Sequence, residues 1–296
     1  MSRPSFHFFT LSLLALIWGS SFILMKRGLE YFDPSELAAL RMTIAMTVLL
    51  PIAFRNLPTI RGRLVPLFLT GLIGNVIPAF LFAKAQTEIP SSLGGMLNSL
   101  TSLFTLVVGV LLFRMRATGA QVAGVIVALV GTLGLIGFSQ LTQLSTYGRY
   151  SLLVVVATLC YGTAINLIKT HLQEVPPHHI TALAYLLTAP FLAAYLFLGT
   201  DVVQQVASQP QAWTGVFYVF LLGVLSTSLA VILFNKLVQS TTPVFASSVT
   251  YLIPVVALGW GVADGESLDV TQLGFLILIL GGIFLINLRK KPRVRA

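Results

Sequence analysis

Apolar residues in this chain run in long blocks and do not alternate with polar ones. Blocks of 18 or more residues with almost no charge recur ten times, and polar residues gather in the short stretches between them. A helix needs ~17–25 apolar residues to cross ~30 Å of hydrocarbon. The pattern predicts an all-α polytopic membrane protein with ten spans, at about 8–25, 37–54, 64–86, 92–113, 117–138, 150–168, 179–198, 212–238, 243–262 and 270–288. Turn chemistry marks the joints. Asp33-Pro34-Ser35-Glu36 opens the second span, Pro90-Ser91-Ser92 the fourth, Pro176-Pro177 the seventh and Thr242-Pro243 the ninth. Proline fits the first helical turn, where its missing N–H costs nothing.

The blocks repeat as a set. At a spacing of 143, Trp18-Gly19-Ser20 falls on Tyr161-Gly162-Thr163, Lys26 on Lys169 and Pro34 on Pro177. At 152, Phe68 falls on Phe220, Gly71 on Gly223, Phe82 on Phe234 and Lys84 on Lys236; at 150, Gly124 falls on Gly274 and Gly131 on Gly281. Residues 1–144 and 145–296 are therefore expected to be two five-helix repeats, joined by a polar linker near Ser139–Gly148. An odd number of spans inverts the second copy in the membrane. Inverted repeats recur in secondary transporters, which rock two halves around a site between them.

Composition excludes a soluble domain: 56% of residues are hydrophobic, 9% are charged and mean hydropathy is +0.91. A net charge of +9 would suggest nucleic acid in a soluble protein, but its distribution points to a membrane. With both termini in the cytoplasm, thirteen Lys and Arg fall inside, four fall outside (Lys26, Arg27, Lys84 and Arg149), and Arg41 lies within a span. That asymmetry is the positive-inside pattern. The basic tail from Arg289 reads as an anchor near anionic headgroups. The first block ends in Lys26-Arg27, with no small-residue cleavage site, and reads as a retained span. Cys160 is the only cysteine, so an intramolecular disulfide is impossible.

Three stretches carry a resemblance. LALIWGSSFILMK ending at Lys26, PSELAALRMTIA at 34–45 with Arg41, and ADGESLDVTQLGFLILILGG at 263–282 with Glu266 resemble the EamA-type branch of the drug/metabolite transporter superfamily. The likeness runs over essentially the whole chain. In the first-half counterpart of the last stretch, Arg116 stands where the family often has an acid. The resemblance implies ten helices in two inverted repeats. It also implies a bacterial-type inner membrane, and a central cavity through which small polar or amphipathic metabolites, often amino acids, are exported.

Polar groups inside spans are costly unless they face a cavity or each other. The candidates for binding or gating are Trp18, Ser20, Arg41, Asn75, Pro78, Asn98, Ser99, Tyr161, Asn166 and Tyr251. Trp18 and Tyr161 are repeat partners, each followed by Gly and a hydroxyl residue, and suit a ring clamp. The three asparagines carry amides that a helix satisfies poorly by itself. Pro78 removes a backbone bond beside Gly74 and Asn75, a place for a hinge. Arg41 either binds a carboxylate or pairs with Glu36 or a loop acid. Lys84 and Lys236 either hold a phosphate or snorkel from span ends. The glycines of spans five and ten form a seam joining the two halves, or two protomers of a homodimer.

No Asp, Glu or His is placed deep in a span, so a carboxylate proton relay has little support and flow down a solute gradient is the simplest mechanism. No metal site, cofactor or nucleic-acid partner is expected. An intramembrane enzyme would need a nucleophile–base pair or metal cluster, and the four histidines all sit at span ends. The readings that stay open beside amino-acid export are export of drugs, nucleosides or sugar-phosphate-like solutes, and flipping of a lipid-linked substrate.

Overall fold

The structure is a computed structural model that describes residues 3–89, 91–136, 148–263 and 270–288. The expected linker up to residue 147, Pro90, Glu266 with its neighbouring acids, and the basic tail from Arg289 lie outside the described residues. Every regular element among the described residues is a helix. Seven helices are long and apolar enough to cross a membrane: α1 (Arg3–Gly28), α2 (Pro34–Arg55), α3 (Leu64–Ala85), α4 (Leu93–Leu111), α6 (Gly148–His171), α7 (Pro177–Gly199) and α8 (Ala212–Ser240). Three more are apolar but shorter: α5 (Gly119–Gly134), α9 (Pro243–Val256) and α10 (Gly274–Asn287). Large apolar side chains cover the outside, with Leu198 87% and Phe191 72% exposed, as lipid-facing positions require.

The most extensive helix–helix contacts cross from residues before the linker to residues after it: α5 with α10, α2 with α7, α4 and α3 with α6, and α1 with α9. Small residues set the closest of these. A side chain on Gly162 would meet the backbone of Phe104 and Thr105 at 2.8–2.9 Å, and one on Gly19 would meet Val256 at 2.8 Å. These two glycines are 143 residues apart, and each lets α6 or α1 lie close against α4 or α9. The seam between α5 and α10 is built the same way: a side chain on Gly124 would meet Gly282 O at 2.7 Å, and one on Gly282 would meet Ala128 N at 2.6 Å. It joins two helices of one chain. Gly281, expected in this seam, faces away from it and has nothing within 4 Å. One residue is about 100° of helix rotation, so Gly282, not Gly281, points inward.

Two helices carry π-helical turns, Leu72–Val76 in α3 and Leu222–Leu229 in α8. A π turn shifts backbone bonding to i→i+5, and it is frequent at functional sites. Polar side chains follow the same register here. Asn75 Nδ2 donates to Thr70 O (3.2 Å), Thr227 Oγ1 to Leu222 O (2.9 Å) and Ser228 Oγ to Gly223 O (2.9 Å), each five residues back. Pro78 follows the first π turn directly, and its missing N–H accounts for a local change of register there. In α4 the helix breaks at Ser99 and in α9 at Ser248, where each hydroxyl donates to the carbonyl three residues back at 2.6 Å. The break in α9 therefore precedes Pro254, which stays within the helix.

Candidate functional site

A cavity of about 140 Å³ lies where α1, α2, α3, α4, α6, α7, α8 and α9 meet. Among the described residues none of the lining comes from α5 or α10, in line with their almost purely apolar sequences. Aromatic rings form two of its surfaces. Trp18 of α1 packs edge-on against Phe234 of α8, with centroids 5.1 Å apart, and its indole N–H donates to Ser226 O in the π turn at 2.9 Å. Tyr161 of α6 packs on Phe82 of α3 at 6.1 Å, and Phe22 stands edge-on to Phe82 at 6.3 Å. Trp18 and Tyr161 are related by the 143-residue spacing and Phe82 and Phe234 by the 152-residue one. Each aromatic pair joins a helix that precedes residue 137 to one that follows residue 147.

The polar contacts follow the same plan. Arg41 Nε donates to Thr227 Oγ1 at 2.5 Å, and Tyr185 Oη donates to Asn75 Oδ1 at 2.7 Å. Thr227 and Asn75 are 152 residues apart, and each sits in a π turn. The turn redirects a side chain that an unbroken helix would aim elsewhere, and that side chain holds a polar residue of α2 or α7 at the cavity. Asn235 Nδ2 donates to Thr181 Oγ1 (2.9 Å) on the cavity wall. Asn98 lines it too, accepting from Thr101 at 3.4 Å.

Arg41 has no acidic partner among the described residues. The ion pairs there are Arg27–Glu30 and Arg63–Glu174, both at helix ends. Glu36, a partner considered from sequence, accepts the backbone N–H of Asp33 at 3.0 Å and caps α2. No Asp, Glu or His is among the described cavity residues. No group of three potential metal ligands occurs among the described residues.

Of the ten residues singled out from sequence, Trp18, Arg41, Asn75, Asn98 and Tyr161 line this one cavity, and Ser20, Pro78, Ser99, Asn166 and Tyr251 do not. Asn166 is fully buried, donating to Thr105 O at 2.9 Å and Gly162 O at 2.8 Å, so it pins α6 to α4. Tyr251 is buried with its hydroxyl on Val125 O at 3.3 Å, between α9 and α5. Ser99 forms the break in α4, and Pro78 is buried behind the first π turn. Asn235, Thr181, Phe82 and Phe234 were not singled out as site residues. The two phenylalanines already stood in the repeat alignment, so their recurrence was the signal available. Lys84 and Lys236 are exposed, and Lys236 Nζ lies 5.0 Å over the Phe6 ring, which is snorkelling and not a cavity site.

A small cavity with a few fixed polar groups, inside a shell of lipid-facing helices, defines a membrane solute transporter. The model of the EamA-like transporter family matches residues 6–137 and again 148–288, and the chain belongs to that family. It is 27% identical over 284 residues to a protein of Salmonella typhimurium named "probable amino-acid metabolite efflux pump", with 92% of each chain covered. It is 25% identical over 277 residues to an uncharacterized transporter of Archaeoglobus fulgidus, covering 93% of this chain and 96% of that one. Over 286 residues it is 24% identical to an uncharacterized inner membrane transporter of Escherichia coli, covering 94% and 89%. One crystal structure superposes with a TM-score of 0.70 over 97% of both chains at 20% identity, a likeness of fold.

Proposed function

We propose that this transporter exports amino acids, or amphipathic metabolites related to them, across a bacterial-type inner membrane by alternating access. The observation that carries this reading is the cavity, where matched aromatic pairs from the two halves face a guanidinium without an acidic partner. Rings accept an apolar side chain, while Arg41, Asn75 and Asn98 accept a polar head group. The architecture behind it is ten spans, with α5, α9 and α10 crossing alongside the longer seven, as two inverted five-helix repeats over 1–144 and 145–296. The doubled family match and the crossed contacts Trp18–Phe234 and Tyr161–Phe82 support that symmetry. The name of the Salmonella relative supports the solute class. No described acid lies at the cavity to couple flux to protons, so the solute's own gradient supplies the drive.

In proteoliposomes, labelled amino acids should be carried, and flux should persist after the proton gradient is collapsed if a solute gradient remains. Absence of flux with amino acids, nucleosides and cationic drugs alike would remove the proposal. Lipid redistribution without solute flux would replace it with a flippase.

Orientation follows from charge. The count expected for ten spans, thirteen basic residues on one side against four on the other, supports both termini in the cytoplasm. A cysteine introduced at Ser2, and another in the tail, should resist an impermeant thiol reagent in intact cells. Labelling of either from outside reverses the assignment.

A further inference from the structure

We infer that the cavity selects solutes carrying one net negative charge, and that each turnover moves that charge across the membrane. This rests on the transporter reading above and narrows it to anionic metabolites, in preference to zwitterions. The guanidinium of Arg41 is fixed at one corner, since Nε is bound to Thr227 Oγ1 in the α8 π turn. Its two terminal nitrogens make no other hydrogen bond among the described residues, and the residue lines the cavity. A guanidinium presents its donors in a planar fork that matches a carboxylate, so the two terminal nitrogens can receive both oxygens of one.

The described acids are engaged or remote. Glu30 pairs with Arg27 and Glu174 with Arg63, while Asp33 stands at the N-cap of α2 and Glu36 caps it; Glu88 and Asp201 lie beyond the ends of α3 and α7. Among the described lining residues every one other than Arg41 is neutral. On those residues the site holds one positive charge without a compensating acid, an arrangement that an anion relieves. A solute with a carboxylate and no ammonium closes that deficit completely. A zwitterion brings its own cation, which finds only hydroxyls, amides and ring faces. The preference is thus a property of the wall as much as of Arg41.

This selectivity has a thermodynamic consequence. One charge moving through the membrane potential gains ~2.3 kcal/mol per 100 mV, which is a concentration ratio of about 50-fold. With the cell interior negative, an anion is driven outward by the potential alone. Export then needs no proton relay, which fits a cavity without a carboxylate.

The test uses a matched pair with the same ring. N-acetyl-phenylalanine is a monoanion at neutral pH and phenylalanine is a zwitterion. The full-length protein is reconstituted in vesicles with each labelled probe at equal concentration on both sides, and valinomycin with a potassium gradient sets 100 mV, inside negative. We expect N-acetyl-phenylalanine to be carried faster than phenylalanine and to fall inside by about 50-fold at steady state. In calorimetric titration of the detergent-purified protein it should bind at least tenfold tighter than phenylalanine. Arg41→Gln should erase that preference, and Arg41→Lys should keep part of it. If Arg41→Gln fails to fold, the voltage-driven distribution in the wild type still decides. Phenylalanine carried and bound as well as its N-acetyl form overturns this inference and leaves the exporter reading standing. So does an N-acetyl-phenylalanine distribution indifferent to potential. Neither flux nor binding of either probe, or of other amino acids, overturns both.

Discussion

Replacing Gly282 with leucine should destabilise the protein severely, whereas the same change at Gly281 should leave it near wild type. At Gly282 a side chain meets Ala128 N at 2.6 Å, Ala128 Cβ at 2.7 Å and Gly124 O at 2.7 Å. Those atoms belong mostly to backbone, so relief requires separating α5 from α10. Extra methylenes in a packed core cost ~1–3 kcal/mol where side chains can yield, and the cost here should lie at the top of that range or above. At Gly281 nothing lies within 4 Å, and leucine would add only another lipid-facing side chain. Thermal unfolding in detergent, followed by size-exclusion chromatography, separates the two. Equal losses at both positions would mean that the seam faces elsewhere.

The second large effect concerns transport. Tyr161→Ala should lower flux about tenfold or more, a change equivalent to ~1.4 kcal/mol, while the protein still purifies as a folded species. Its ring forms one surface of the cavity and packs on Phe82. Trp18 calls for a gentler change, because its N–H also holds Ser226 O and its ring packs on Phe234. Trp18→Phe keeps a ring and removes one hydrogen bond, worth about 0.5–1.5 kcal/mol, so melting should move little while flux falls. Normal flux in both variants would separate the aromatic pairs from the transport route. Loss of folded protein in both would make them packing residues.

Seven membrane-crossing helices were legible because lipid imposes long apolar blocks, whereas α5, α9 and α10 are apolar but shorter among the described residues than the spans expected there. The recurrence of Trp18 at Tyr161 and of Phe82 at Phe234 stood in the sequence, but which ring packs on which did not. Nor was the facing of single residues legible. Gly281 and Gly282 are neighbours in sequence and differ only in rotation about α10. Asn166 and Asn98 have the same amide, yet one pins two helices and the other meets the cavity, because the distinction lies in what stands opposite. The π turns were also hidden. The five-residue spacing of their side-chain bonds is no sequence signal on its own, and Pro78 flags the first turn but has no counterpart in the second.

The crossed pairing of helices bears on how the chain is made. α1 finds its main partners in α8 and α9, α2 in α7, and α5 in α10, all synthesised later. When the ribosome has delivered α5, Arg41 still lacks Thr227, Trp18 lacks Ser226 and Phe234, and Asn75 lacks Tyr185. Until the later helices exist, those three side chains lack those partners and the small-residue faces of α1 and α5 stay uncovered. The seam on Gly124 can close only once α10 has been made.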